Sequence, residues 1–80
     1  MKISIETKFN IGDTVYIAEC FEDWFAYEKP YIVSDISISA NSQTTHVLYK
    51  VQQDGITERV PEDWVFSTYD ECTKWCDEHN

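Results

Sequence analysis

The cysteines and histidines are the residues of this chain that could do chemistry, and three of them are spaced so that they would lie on one side of a helix. Cys72, Cys76 and His79 lie at i, i+4 and i+7, which places them on one side of a helix. Together with Cys20, they could form a Cys₃His zinc site. Free cysteines on a helix also commonly fill core space. We predict packing for these thiols, with no metal and no cofactor.

Catalysis would need further groups beside these side chains. A cysteine nucleophile requires a base and a group that orients the base, and His46 and His79 are the only histidines. Nothing in the sequence brings either one to a cysteine in a constrained cleft, and His79 lies on the helix that would pack down. Adjacent acids such as Asp70 and Glu71 diverge on a helix or strand, and the chain lacks a glycine-rich phosphate loop. We therefore predict no catalytic residue and no enzyme activity.

The segment 19–28 mixes acids with aromatic rings more densely than any other part of the chain. Aromatic side chains with a charged rim are typical of interface hot spots. The same rings could instead cap a small core, and both interpretations stay open. With Trp64 added, the predicted binding residues are Glu19, Phe21, Glu22, Asp23, Trp24, Phe25, Tyr27, Glu28 and Trp64.

These residues must be positioned by a single domain, because 80 residues leave no room for two cores. Alternating and β-branched runs predict strands at 3–5, 9–17, 31–38, 47–51, 56–60 and 65–66, with a long loop over 18–30. Asp54-Gly55 predicts a tight hairpin. Pro61 cannot continue a central strand, so a 3₁₀ turn is expected at 61–64.

A helix is predicted over 69–79. Thr68 and Glu71 have the spacing of a capping box, and Asp70 and Glu71 suit the positive end of a helix. Cys72, Trp75, Cys76 and His79 would then form one stripe that packs over an open end of the sheet.

Two motifs resemble those of SH3-like barrels of the Tudor and KOW type. These are Phe9-x-Ile11-Gly12-Asp13-x-Val15-Tyr16 followed by Tyr31-x-Val33-x-x-Ile36, and Val60-Pro61-Glu62-x-x-Val65-Phe66. The resemblance implies a mainly β (α+β) fold, a five-stranded SH3-like barrel with a C-terminal α-helix. The tail from Val65 to Asn80 is similar to short uncharacterised proteins of bacterial phages and mobile elements.

The acidic composition narrows the range of partners. The net charge is −9 and the pI is near 4.3, so phosphate backbones and anionic membranes repel the chain. Residues 1–5 lack the apolar run of a signal peptide or membrane helix. An odd number of cysteines without such a signal favours reduced thiols and a cytoplasmic location.

Two functions follow from these observations. The first is a non-catalytic protein-binding module, which the resemblance of the tail extends to a phage or mobile-element accessory protein, an anti-defence (anti-CRISPR-like) inhibitor of a host protein. The alternative is an acidic nucleic-acid mimic that occupies the groove of a basic nucleic-acid-binding protein. In either case we expect a protein partner, no direct contact with nucleic acid or membrane, and a monomer or weak homodimer.

Overall fold

The structure is a computed structural model that describes residues 7–41 and 43–80. The predicted strand at 3–5 lies outside the described residues. The elements are β1 (Thr14–Phe21), β2 (Asp23–Ala26), β3 (Tyr31–Ala40), β4 (Thr45–Gln53), β5 (Ile56–Pro61), a 3₁₀ turn (Glu62–Trp64), β6 (Val65–Phe66) and the helix α1 (Tyr69–His79).

The six strands form one antiparallel sheet in the order β2-β1-β3-β4-β5, and β6 pairs with β1. The expectation of a mainly β domain with one C-terminal helix is confirmed. Within the described residues there are six strands instead of the expected five, and the sheet that they form does not close into a barrel. Among the described residues, β5 pairs only with β4, whereas β6 pairs with Tyr16 and Ile17 of β1.

The sixth strand comes from the segment 18–30, where the prediction of a long loop is wrong. Strand β1 continues to Phe21, and β2 returns beside it after a turn at Glu22, whose φ is 68°. Apolar residues lie on both faces of this hairpin, so the sequence does not alternate as a half-buried strand does.

Local turn and cap signals are confirmed. Asp54 and Gly55 have φ of 45° and 83°, the left-handed pair that a tight two-residue hairpin needs. The Thr68 hydroxyl accepts a hydrogen bond from the Glu71 backbone N–H at 3.2 Å. The second half of the capping box differs, because the Glu71 carboxylate accepts from the Ser67 hydroxyl at 3.0 Å.

The core has two parts. The larger part lies on the inner face of the sheet, where β1, β3 and β4 contribute alternate residues and β5 and β6 contribute one each. Its members include Val15, Ile17, Tyr31, Val33, Tyr49, Val51, Val60 and Val65. The smaller part lies between α1 and the β1–β2 hairpin and contains Ala18, Cys72 and Cys76. The helix stripe predicted from the sequence therefore packs on the hairpin and on β6.

A hydrogen-bonded group ties the segment before β1 to this core. The fully buried Tyr49 donates its hydroxyl to the Glu62 carboxylate at 2.5 Å, and that hydroxyl accepts from the Phe9 N–H at 3.2 Å. Glu62 also accepts from the Lys8 N–H at 3.2 Å. The 3₁₀ turn thus holds both the sheet and the preceding chain in place.

Candidate functional site

The β1–β2 hairpin presents two different faces. Directly opposed residues share a face, and neighbours along a strand alternate. The pairs Ala18↔Ala26 and Cys20↔Trp24 therefore lie on one face, and Glu19↔Phe25 and Phe21↔Asp23 lie on the other. We call the second set, extended by Tyr27, the open face: Glu19, Phe21, Asp23, Phe25 and Tyr27.

Trp24 belongs to the opposite, helix-side face. Its ring meets those of Trp64 and Trp75 edge to face, with centroids 5.0 and 4.8 Å apart. Its backbone N–H donates to the Asn80 side-chain oxygen at 2.7 Å, and its carbonyl accepts from the Asn80 amide at 2.9 Å. Trp24 is half-buried among these groups, and its contacts hold the C-terminal end of α1 against the hairpin. Its role is therefore in packing.

The rings of the open face are more accessible. Phe21 is 78% exposed at the tip of the hairpin, and Phe25 is 38% exposed. Phe25 meets Tyr27 edge to face at 5.2 Å, and Tyr27 meets the buried Tyr31 at 6.0 Å. The sequence left open whether the rings cap the core or form a surface. The structure divides them, with Trp24 and Tyr27 against the core clusters and Phe21 and Phe25 directed outward.

Acids border this face. The Tyr27 hydroxyl donates to the Glu19 carboxylate, and this hydrogen bond, followed by burial, raises the pKa of Tyr27. Glu22, Asp23 and Glu28 are exposed around the hairpin.

Glu58 on β5 is a member of this region that sequence reasoning missed. Burial, and then the nearby Glu19 carboxylate, raise the pKa of Glu58. Burial raises the pKa of Tyr31 too, followed by the charges of Glu58 and Glu19. The alternation of Glu58 with the buried Val60 could have placed it on the inner face, but its approach to Glu19 depends on two distant strands meeting.

Trp64 lies beside residues from both faces of the β1–β2 hairpin. It is 37% exposed in the 3₁₀ turn and contacts Trp24. It also lines a groove of about 320 Å³ between residues 17–19 of β1 and residues 58–60 of β5. The structure thus brings Trp64 beside Glu19 and Glu58.

The structure does not group Cys72 and Cys76 with Cys20, which is exposed. Cys72 and Cys76 are buried under α1. Burial, with the neighbouring thiol second, raises the pKa of Cys72 to about 12, and burial raises that of Cys76. Burial therefore favours the protonated thiols, whereas the thiolate is the form that attacks as a nucleophile. Within residues 7–41 and 43–80, no three His, Cys, Asp or Glu side chains are grouped as metal ligands.

Both histidines have structural neighbours. The His79 ring stacks on Trp75 with centroids 3.9 Å apart, and its Nδ1 lies 2.7 Å from the Trp75 carbonyl oxygen. His46 lies exposed near the start of β4, with its Nε2 3.2 Å from the Thr44 hydroxyl.

No protein-family model, curated protein or solved structure matches the chain. In the part of the chain that the structure describes, no helix has the length and apolar character needed to cross a membrane.

Proposed function

We propose that this protein is a non-catalytic protein-binding module whose contact surface is the open face of the β1–β2 hairpin. The observation that carries the proposal is the 78% exposure of Phe21 beside the half-exposed Phe25. A large ring at a hairpin tip loses its contact with water when a partner covers it. The gain is about 2 kcal/mol for one phenylalanine.

The neighbouring groups support the same surface. Tyr27 is fixed by Glu19 and packs between Phe25 and Tyr31, so the base of the face is ordered before a partner arrives. A preordered aromatic surface loses little conformational entropy on binding. The exposed Glu22, Asp23 and Glu28 would form its polar rim and favour a partner with basic residues.

A small SH3-like barrel is the finer description of the fold that we propose with this function. It is supported by the neighbour order β6-β1-β3-β4-β5 and by the 3₁₀ turn between β5 and β6. In this description the β1–β2 hairpin replaces the long loop after the first strand. Inhibition of a host protein by a phage or mobile-element product remains a proposal that rests on the resemblance of the tail.

The test is capture of a partner from a lysate of the source cell by the immobilised protein, followed by titration of the identified partner. Phe21→Ser is compared with Ile11→Ser, which alters another exposed apolar side chain that is 64% exposed and lies outside the open face. We expect Phe21→Ser to weaken the partner's binding about thirtyfold, which corresponds to about 2 kcal/mol. Ile11→Ser should bind as the wild type does, and equal binding by both variants would refute the proposal.

Trp24 is a poor choice of variant for this purpose. Its ring supports Trp64 and Trp75, so Trp24→Ala would disturb the packing of α1 as well as any contact surface. A loss of binding would then have two causes. Phe21 avoids this because its side chain is almost entirely in solvent.

A nucleic-acid mimic is the second candidate, and the net charge of −9 favours it. In that mechanism carboxylates would imitate phosphates in the basic groove of the partner, and no aromatic contact would be needed. Three results together would identify this mechanism. The partner would be captured at about 0.05 M salt but not at about 0.5 M, Phe21→Ser would not change the amount captured, and duplex DNA would displace the partner.

A further inference from the structure

The groove between β1 and β5 is bounded by an edge of β5 that pairs with no strand among residues 7–41 and 43–80. Strand β5 (Ile56–Pro61) ends the strand order of the described sheet and pairs with β4 alone. Such an edge presents backbone N–H and C=O groups that another extended chain can pair with. The groove of about 320 Å³ lies beside this edge, and Trp64 contributes to its lining.

The inner wall of the groove is negatively charged. Glu19 alternates with the buried Ile17 on β1, and Glu58 alternates with the buried Val60 on β5, so both carboxylates face inward. The Glu19 carboxylate lies close enough to Glu58 to contribute to the raised pKa of Glu58. Arg59, which also borders the groove, projects from the opposite face of β5, where it lies opposite Lys50 on β4.

A second copy of this chain is a poor occupant. Two antiparallel copies of β5 pair over most of their length when the twofold axis passes through residue 58 or 59. These registers place Glu58 opposite Glu58 or Arg59 opposite Arg59, and like charges directly opposed destabilise a pair of strands. The net charge of −9 adds long-range repulsion between copies. An extended segment with a basic side chain has the complementary charge.

We propose that an extended segment of the partner protein adds to the free edge of β5 and inserts one lysine or arginine side chain between Glu19 and Glu58, against the Trp64 ring. The cation would meet two carboxylates, and its methylene stem would lie on the indole. Backbone pairing would supply affinity, and the acidic groove would select the basic residue. This inference rests on the proposed function, since it assumes a protein partner.

The test is a ¹H–¹⁵N NMR titration of the whole chain with a synthetic peptide, acetyl-Thr-Val-Lys-Val-Thr-amide. A second peptide has norleucine in place of lysine, which keeps the stem and removes the charge. We expect the lysine peptide to shift the amide resonances of 56–60 and the Trp64 indole N–H. The norleucine peptide should bind about fivefold more weakly, which corresponds to about 1 kcal/mol.

Two variants refine the test. Glu58→Gln should bring the affinity of the lysine peptide closer to that of the norleucine peptide, because one of the two carboxylates is lost. Glu78→Gln, which changes an exposed acid on α1, should leave the affinity of the lysine peptide unchanged. Equal affinities of the two peptides, or shifts confined to residues 21–27, would overturn the inference. The peptide comparison needs no variant, so a poorly folded Glu58→Gln protein would not weaken it. Because Phe21 is not varied here, failure of this titration leaves the capture experiment with Phe21→Ser unaffected.

Discussion

Replacing Tyr49 by phenylalanine tests the hydrogen bonds that join the 3₁₀ turn to the segment before β1. The change removes one hydroxyl from a fully buried side chain and keeps the ring, which meets Phe9 edge to face at 5.6 Å. The Phe9 N–H then loses its acceptor in a buried position. Glu62 loses a donor at 2.5 Å but keeps the Lys8 N–H.

The expected loss of unfolding free energy is about 2 kcal/mol. Leaving a buried donor unpaired costs about 1–3 kcal/mol, and the half-buried Glu62 regains part of its solvation from water. In a domain of this size, 1 kcal/mol shifts Tm by about 4–8 °C, so Tyr49→Phe should melt about 8–16 °C below the wild type.

The same contact predicts an effect at high pH. Burial, and next the hydrogen bond to Glu62, raise the pKa of Tyr49 from 10.0 to about 12. The folded state therefore holds this proton more tightly than the unfolded chain does. The resulting stabilisation is complete below about pH 10 and is lost as the pH rises toward 12. Tyr49→Phe lacks this contribution, so its stability should approach that of the wild type across this range.

Urea unfolding followed by tryptophan fluorescence, at neutral pH and at several values between about pH 9 and pH 12, measures both effects. Tyr69→Phe is the matched control, because Tyr69 is 37% exposed on α1 and its change should cost less than about 0.5 kcal/mol. A Tyr49→Phe protein as stable as the wild type at neutral pH would refute the reasoning. So would a stability difference that stays constant up to pH 12.

Two further predictions concern α1. Thr68→Ala should lower the unfolding free energy by about 1 kcal/mol, because the Glu71 N–H loses its acceptor, and Thr68→Ser should restore most of it. Urea unfolding measures this, and an unchanged Thr68→Ala midpoint would contradict the role of the cap. In the native protein, an aromatic disulfide reagent should label Cys20 rapidly and leave Cys72 and Cys76 unlabelled until denaturant is added, because the latter are buried and the pKa of Cys72 is about 12. Prompt labelling of all the thiols would show that α1 does not cover them.

Features that depend on neighbouring residues could be predicted from the sequence. Asp54-Gly55 specifies its own hairpin because few residues other than glycine, asparagine and aspartate accept positive φ. Thr68 begins α1 because its hydroxyl reaches the N–H of Glu71 three residues later. Pro61 ends β5 because it lacks an N–H. The bounds of α1 followed from these local rules, whereas the 3₁₀ turn, expected at 61–64, begins one residue later at Glu62 because Pro61 still pairs with Leu48 at the end of β5.

The β1–β2 hairpin and the candidate site were decided by tertiary structure. Segment 18–30 has no alternating pattern, because α1 covers one face of the hairpin and exposed rings occupy the other. Trp24 and Phe21 lie three residues apart and look alike in the sequence, yet one supports α1 and the other is in solvent. The meeting of Glu19 with Glu58 depends on β1 and β5 lying across one groove. Composition alone determined the acidic charge and the abundance of aromatic rings, whereas which rings are buried, and which carboxylates face each other, depends on contacts between strands distant in sequence.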